Sequence, residues 1–214
     1  MIRGSATVDF NLYLITDRGQ TNRRDLLAVV EDALSGGVRV VQLREKGLSA
    51  LEYFELARGM RSLTARYGAR LLINDRVDIA LAVGADGVHL PESGLPLAVA
   101  RELLGSSKLI GVSCHSREKA LDAERRGADF ITFGPVWFTP SKADYGEPVG
   151  FALLAKVAHT LSIPVFALGG VTRERVPELL ASGIHRVALI SAILAAPAPR
   201  AEAEAFITLI DKAA

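Results

Sequence analysis

Three groups of residues in this chain have types and spacings suited to work on anions. Gln42-Leu43-Arg44-Glu45-Lys46 sets an amide and two cations at alternate positions, so an extended segment would point all three one way. Arg44 and Lys46, with Lys142 from a later Gly- and Pro-containing stretch, could gather a multiply charged anion. Asn74-Asp75 offers hard oxygen donors of the kind that hold Mg2+, which binds through one or two carboxylates plus substrate phosphate. Gly169-Gly170 lets backbone approach a ligand closely, and Ser191 would start a late helix whose free N–H groups favour an anion. Together these two suit a phosphomonoester. His115 could exchange protons near neutrality. Each group also has a plainer explanation. Arg44 and Lys46 can be solvated charges bridged to Glu45, Asp75 can be a helix N-cap, and Gly-Gly can be a tight turn. His89 reads as a satisfied interior histidine, Cys114 as a small packing residue, and Trp137 and Phe138 as an aromatic wall or lid.

Something must bring these groups together. Eight short apolar runs, at 12–16, 38–43, 70–74, 87–90, 109–113, 129–134, 164–168 and 187–190, read as strands covered on both faces. Between them, helical spacing spans 25–34, 51–63, 77–83, 95–104, 117–126, 151–160, 173–181 and 202–212. Glycines at 36–37, 84, 127 and 183 mark helix ends just before a strand. Ser49, Ser116 and Thr172 mark helix starts. Ala195 to Pro199 lies inside the last unit and should kink its helix. Eight strand–helix units in 214 residues predict an α/β fold, a (β/α)8 TIM barrel forming one domain over 1–214. The rival, a doubly wound open sheet, would suit a Gly-x-Gly-x-x-Gly after the first strand, which this chain lacks. Such barrels place their chemistry at the C-terminal ends of strands, where all the groups above fall.

Composition narrows the function. With 25 Lys+Arg against 24 Asp+Glu the net charge is +1, so no global basic field draws nucleic acid or an anionic membrane. The hydrophobic fraction of 50% excludes disorder, and the lone Cys114 excludes an internal disulfide framework. Apolar runs are strand-sized, far below the ~20 residues of a membrane span, and no targeting segment is visible. A cytoplasmic protein acting on small phosphorylated molecules is expected, and pairing with a second copy stays open. Zinc, serine-hydrolase and nucleotide-triphosphatase chemistry lack their motifs.

The runs Leu12-Tyr13-Leu14-Ile15-Thr16-Asp17, Val41-Gln42-Leu43-Arg44-Glu45-Lys46, Ile73-Asn74-Asp75-Arg76-Val77-Asp78, Gly84-Ala85-Asp86-Gly87-Val88-His89-Leu90, Gly111-Val112-Ser113, Phe133-Gly134-Pro135-Val136 and Gly169-Gly170-Val171 resemble the thiamine-phosphate synthase family, which includes the related thiazole tautomerases. The resemblance implies a synthase on a TIM barrel, joining hydroxymethylpyrimidine diphosphate to thiazole phosphate. It assigns Gln42, Arg44, Lys46, Asn74 and Lys142 to the diphosphate-bearing substrate and Asp75 to Mg2+. Ser113 and Thr139 would line the pyrimidine and thiazole pockets, while Gly169, Gly170, Ser191 and Ala192 would hold the thiazole phosphate. One departure stands out. Synthases of the family typically carry Gly-Gln-x-Asp after the fourth strand, and this chain has Pro91-Glu92-Ser93-Gly94, so Gly94 replaces a second Mg2+ carboxylate and Glu92 is the nearest substitute. Tautomerases resemble this chain at Leu90-Pro91 and at His115, their proton-transfer position, but tend to lose the basic residues kept here. A tautomerase and a non-catalytic binding protein are therefore the alternatives to a synthase.

Overall fold

A computed structural model describes residues 7–139 and 147–212. Eight parallel strands follow one another: β1 Leu12–Ile15, β2 Val40–Leu43, β3 Arg70–Asn74, β4 Gly87–Leu90, β5 Leu109–Cys114, β6 Phe130–Phe133, β7 Val165–Leu168 and β8 Val187–Leu189. They close into a barrel, with β8 paired back to β1 through Leu12 opposite Val187 and Leu14 opposite Leu189. Around it lie α1 Leu26–Ser35, α2 Ala50–Arg66, α3 Val77–Ala82, α4 Leu97–Leu104, α5 Arg117–Arg125, α6 Phe151–Thr160, α7 Val176–Ala181, α8 Ser191–Leu194 and α9 Pro199–Asp211. The expected α/β TIM barrel is the observed fold, with strand ends displaced by one or two residues. No described helix is long and apolar enough to cross a membrane.

Closure divides each strand by parity. Leu12, Leu14, Val41 and Leu43 pack outward under the helices, while Tyr13, Ile15, Val40, Leu72, Leu109, Phe130, Phe166 and Ala188 fill the interior. Both faces are covered, which explains the continuous apolar runs in the sequence. Helix starts follow their caps. Asp25 accepts from the Ala28 N–H at 2.9 Å, and Ser49 and Glu52 form a capping box on α2. Thr172 departs from expectation, opening a 3-10 turn, Arg173–Arg175, without a side-chain cap bond. The last helix departs further. It is not one kinked helix but two, the four-residue α8 and then α9 beginning at Pro199. Pro197 and Pro199 have no N–H to continue α8, and Pro199 instead occupies the first turn of α9, where that N–H is unneeded.

The lower interior is a cluster of rings. Phe130 lies 5.8, 5.4 and 5.4 Å between centroids from Phe10, Tyr13 and Phe166, each contact edge-on. Phe130→Ala should cost about 3–5 kcal/mol in chemical denaturation, as for other buried aromatics. A loss below about 1 kcal/mol would show that this cluster does not carry the barrel interior.

Candidate active site

The same parity that fills the interior brings polar side chains inward as the strands reach their C-terminal ends. Gln42, His89, Ser113 and Thr132 meet above the ring cluster, joined by the Tyr13 hydroxyl. Gln42 Nε2 donates to the Tyr13 oxygen at 2.9 Å, and that oxygen lies 3.4 Å from His89 Nδ1. His89 Nε2 lies 3.0 Å from Ser113 Oγ and 3.3 Å from Thr132 Oγ1. Because Gln42 uses the tyrosine as an acceptor, the phenol proton is left for Nδ1. Nε2 then carries the ring proton and donates toward Ser113, whose own hydroxyl hydrogen stays available to a ligand. Burial, and next the charge of Arg44, hold the His89 ring down to about 3, so it is neutral near pH 7. Burial likewise pushes the Tyr13 hydroxyl up. His89 is the satisfied interior histidine expected. Gln42, at 1% exposure, lies under the mouth, while Arg44 is half-buried and Lys46 exposed.

Glu45 does not bridge Arg44 and Lys46. It turns back to accept from Thr16 Oγ1 at 2.6 Å and from the Arg18 N–H at 3.0 Å, while the Arg44 N–H donates to Thr16 at 2.9 Å. Burial raises its carboxyl above the ordinary range, against the lowering effect of the Thr16 bond. Glu45 thus takes up neither the Arg44 nor the Lys46 side chain. Asp75 is not the N-cap of α3 either; Arg76 holds that place without a cap bond. Asp75 takes a left-handed φ of +63°, rare for a residue with a side chain, and its N–H donates to the His89 carbonyl at 2.9 Å. Its exposed carboxylate has no ion-pair or hydrogen-bond partner among the described residues, and a Cβ built on Gly94 would fall 2.9 Å from its Oδ1. Positions 75 and 94 therefore face each other. Glu92 is exposed, 3.9 Å from Lys119 Nζ. No group of three or more His, Cys, Asp or Glu among the described residues could hold a metal by itself.

On the β7–β8 side a cavity of about 360 Å3 is lined by His115, Thr139, Gly169, Gly170, Ser191 and Ala192, with Pro135, Leu168, Val171 and Ile190 among its apolar walls. Gly169 and Gly170 both have positive φ, +94° and +67°, which only glycine adopts freely. The N–H groups of Gly170, Ser191 and Ala192 meet no acceptor among the described residues. His115 is linked through Nδ1 to the Gly134 carbonyl, and its Nε2 has no partner among the described residues. The C-terminal end of α8 is anchored from the neighbouring β1–α1 connection, distant in sequence but adjacent in the closed barrel. Arg24 donates to the Leu194 carbonyl at 2.6 Å, and Asn22 to that of Ala195 at 2.9 Å. Ser113, whose Oγ meets His89 in the interior, does not line this cavity and also borders a neighbouring cleft with Glu92 and Gly94. Neither Trp137 nor Phe138 lines the cavity: Trp137 stacks on Phe151 at 6.2 Å, and Phe138 points to solvent. The expected aromatic wall is thus absent from the described cavity. Lys142 lies outside the described residues. Tyr13 and Thr132 were not singled out from the sequence, although both share inward parity with residues that were.

Residues 12–193 match a family model described as thiamine monophosphate synthase. The chain is 67% identical over 205 residues, 96% of each chain, to a Geobacter sulfurreducens protein provisionally named thiamine-phosphate synthase. It is 45% identical over 187 residues to a Clostridium novyi thiamine-phosphate synthase, covering 87% of this chain and 92% of that one. Among solved structures, a Pyrococcus furiosus thiamine phosphate pyrophosphorylase superposes with a TM-score of 0.85 at 36% identity, covering 95% of this chain and 96% of that one.

The buried histidine has a measurable consequence. Between its unfolded value of 6.5 and its folded value of about 3, the unfolded chain binds a proton that the folded chain excludes. Its contribution to stability is complete above 6.5 and drains away as pH falls below that value. Denaturant unfolding at about pH 7 and about pH 5 should show a smaller pH-dependent loss for His89→Asn than for the unaltered chain. Equal losses in the two proteins would mean that His89 is charged in the folded barrel.

Proposed function

We propose, for a chain that belongs to the thiamine monophosphate synthase family, that this barrel mouth joins hydroxymethylpyrimidine diphosphate to thiazole phosphate, giving thiamine phosphate and diphosphate. The observation that carries this reading is one mouth with two unlike anion-binding sides. Cations and a carboxylate unpaired among the described residues stand at the ends of β2 and β3, and a glycine cradle whose N–H groups meet no acceptor among the described residues stands at the ends of β7 and β8. A reaction between a diphosphate ester and a phosphomonoester needs both. Barrel closure of β8 on β1 and the packing of α9 on α1 support a single domain over 1–214. Substrates carrying several phosphate charges do not cross bilayers unaided, which supports a cytoplasmic setting.

Gln42 and Ser113, set by Tyr13 and His89, would orient the pyrimidine, while Arg44, Lys46 and Asn74 would hold its diphosphate, with Lys142 as a further cation. The carbon–oxygen bond to diphosphate breaks with its electron pair leaving on oxygen, and Arg44 and Lys46 offset the charge that collects there. The thiazole nitrogen lone pair then forms the new bond to the pyrimidine methylene carbon. Gly169, Gly170, Ser191 and Ala192, gripping the thiazole phosphate, hold that nitrogen in line, and Thr139 and the apolar walls flank the ring. Asp75 is the residue that would hold Mg2+. Its exposed carboxylate, without a partner among the described residues, fits an ion that takes most of its shell from water and substrate oxygens, and does not fit one caged by protein alone. When bound, Mg2+ neutralises the departing diphosphate.

Position 94 tests this reading. Gly94→Asp alone meets an obstacle, since its Cβ would fall 2.8 Å from Pro91 Cδ in a rigid ring. The pair Pro91→Gly/Gly94→Asp removes the ring and sets a second carboxylate opposite Asp75. It should lower the Mg2+ concentration for half-maximal synthase turnover by about tenfold, or about 1.4 kcal/mol. Absence of synthase turnover at every Mg2+ concentration, in both the unaltered chain and the double variant, would overturn the reading. Turnover of thiazole carboxylate phosphate that depends on His115 would then replace it with a tautomerase.

A further inference from the structure

Behind the glycine cradle, outside the cavity, sits Arg175. Its Nη1 donates to the Gly170 carbonyl, and its guanidinium lies 5.0 Å over the Trp137 ring. The preceding carbonyl, that of Gly169, accepts from the Trp137 N–H at 3.1 Å. Two successive carbonyls of the β7–α7 loop are therefore pinned to the Trp137–Arg175 side. In a trans peptide the C=O and the following N–H point in opposite directions. Pinning these two carbonyls turns the N–H groups of Gly170 and Val171 to the other side, and both residues line the cavity. Successive carbonyls of an extended strand alternate; here the left-handed Gly170, φ +67°, lets them share one side, so the two N–H groups that follow them share the other. The packing leaves little play, since a Cβ on Gly170 would fall 2.8 Å from Trp137 Cβ and 3.0 Å from Arg175 Nη1.

We infer that Arg175 is a positioning residue that orients the backbone donors for the phosphate of the second substrate. Trp137 acts as its platform, itself stacked on Phe151 at the start of α6. This rests on the phosphate assignment of the Gly169-Gly170 cradle. A guanidinium suits the place because it donates to a carbonyl in its own plane while stacking its face on an indole.

The test uses the full chain and inorganic phosphate as probe, followed by steady-state kinetics with both substrates. Arg175→Ala should weaken inorganic phosphate binding by roughly tenfold or more, the size of a lost hydrogen bond to a charged group. It should raise the KM for thiazole phosphate in parallel and leave the KM for the pyrimidine diphosphate unchanged. Arg175→Lys keeps a donor for the Gly170 carbonyl and should recover part of the loss, which also covers the case in which the alanine variant folds poorly. Phosphate binding unchanged in Arg175→Ala would overturn the inference, as would equal changes in both KM values together with an unrescued lysine variant. Loss of phosphate binding in the variant, with no synthase turnover in the unaltered chain, would uphold the positioning role while refuting the synthase.

Discussion

The pairing of β8 with β1 is the constraint from which the rest follows. With no free edge, every strand is covered on both faces, and the two-residue period of a strand assigns each side chain to the interior or to the helix layer. A slip of one residue in any strand would exchange that strand's two sets and put its polar and apolar side chains on the wrong faces. The same bookkeeping of parity that sends Phe130 and Phe166 to the centre sends Thr132 inward on β6, and Val40 commits Gln42 to the interior. Register is thus a prerequisite for the geometry of the mouth.

The interior changes character along its axis. Its lower part is aromatic, with rings meeting edge-on. Its upper part is a connected set of hydrogen bonds in which one tyrosine hydroxyl and one histidine ring join side chains from five strands. A buried amide such as Gln42 costs stability unless it finds partners, and Tyr13 supplies one. The histidine is suited to its place because it is neutral: a neutral ring both accepts and donates, and so passes a fixed hydrogen-bond direction from Tyr13 to Ser113. The floor of the mouth is accordingly rigid, while the cations around its rim are half-buried or exposed.

Much of this could be read from the sequence, and the exceptions have physical causes. The eight strands were legible because double coverage makes them continuously apolar, as at 109–113, and the barrel followed from their alternation with helices. Gly169-Gly170 was legible because two adjacent left-handed residues almost demand glycine. Asp75 hid its conformation, since nothing in an aspartate announces a positive φ. The bridge from Glu45 to its neighbours that the spacing allowed does not form, because its real partners, Thr16 and the Arg18 N–H, lie beyond the end of the previous strand. The split between α8 and α9 was foreshadowed by Pro197 and Pro199, but helical spacing alone did not place the second start. Arg175 left no trace because its partners are a backbone carbonyl and a ring on another loop.

The anchoring of α8 by Arg24 and Asn22 ties the first connection of the chain to the last. A ribosome delivers residue 24 long before residue 194. The cradle side of the cavity therefore cannot be complete on a nascent chain: its donors are in the β7–α7 loop and on α8, and the residues that steady α8 are made near the start of synthesis. Loop closure over nearly the full contour length is among the slowest steps in assembling a domain, because its entropy must be spent before the contact returns any of it. The wall of the cavity formed by Ser191 and Ala192 is thereby reserved for the finished polypeptide, and a barrel interrupted before its eighth strand lacks it.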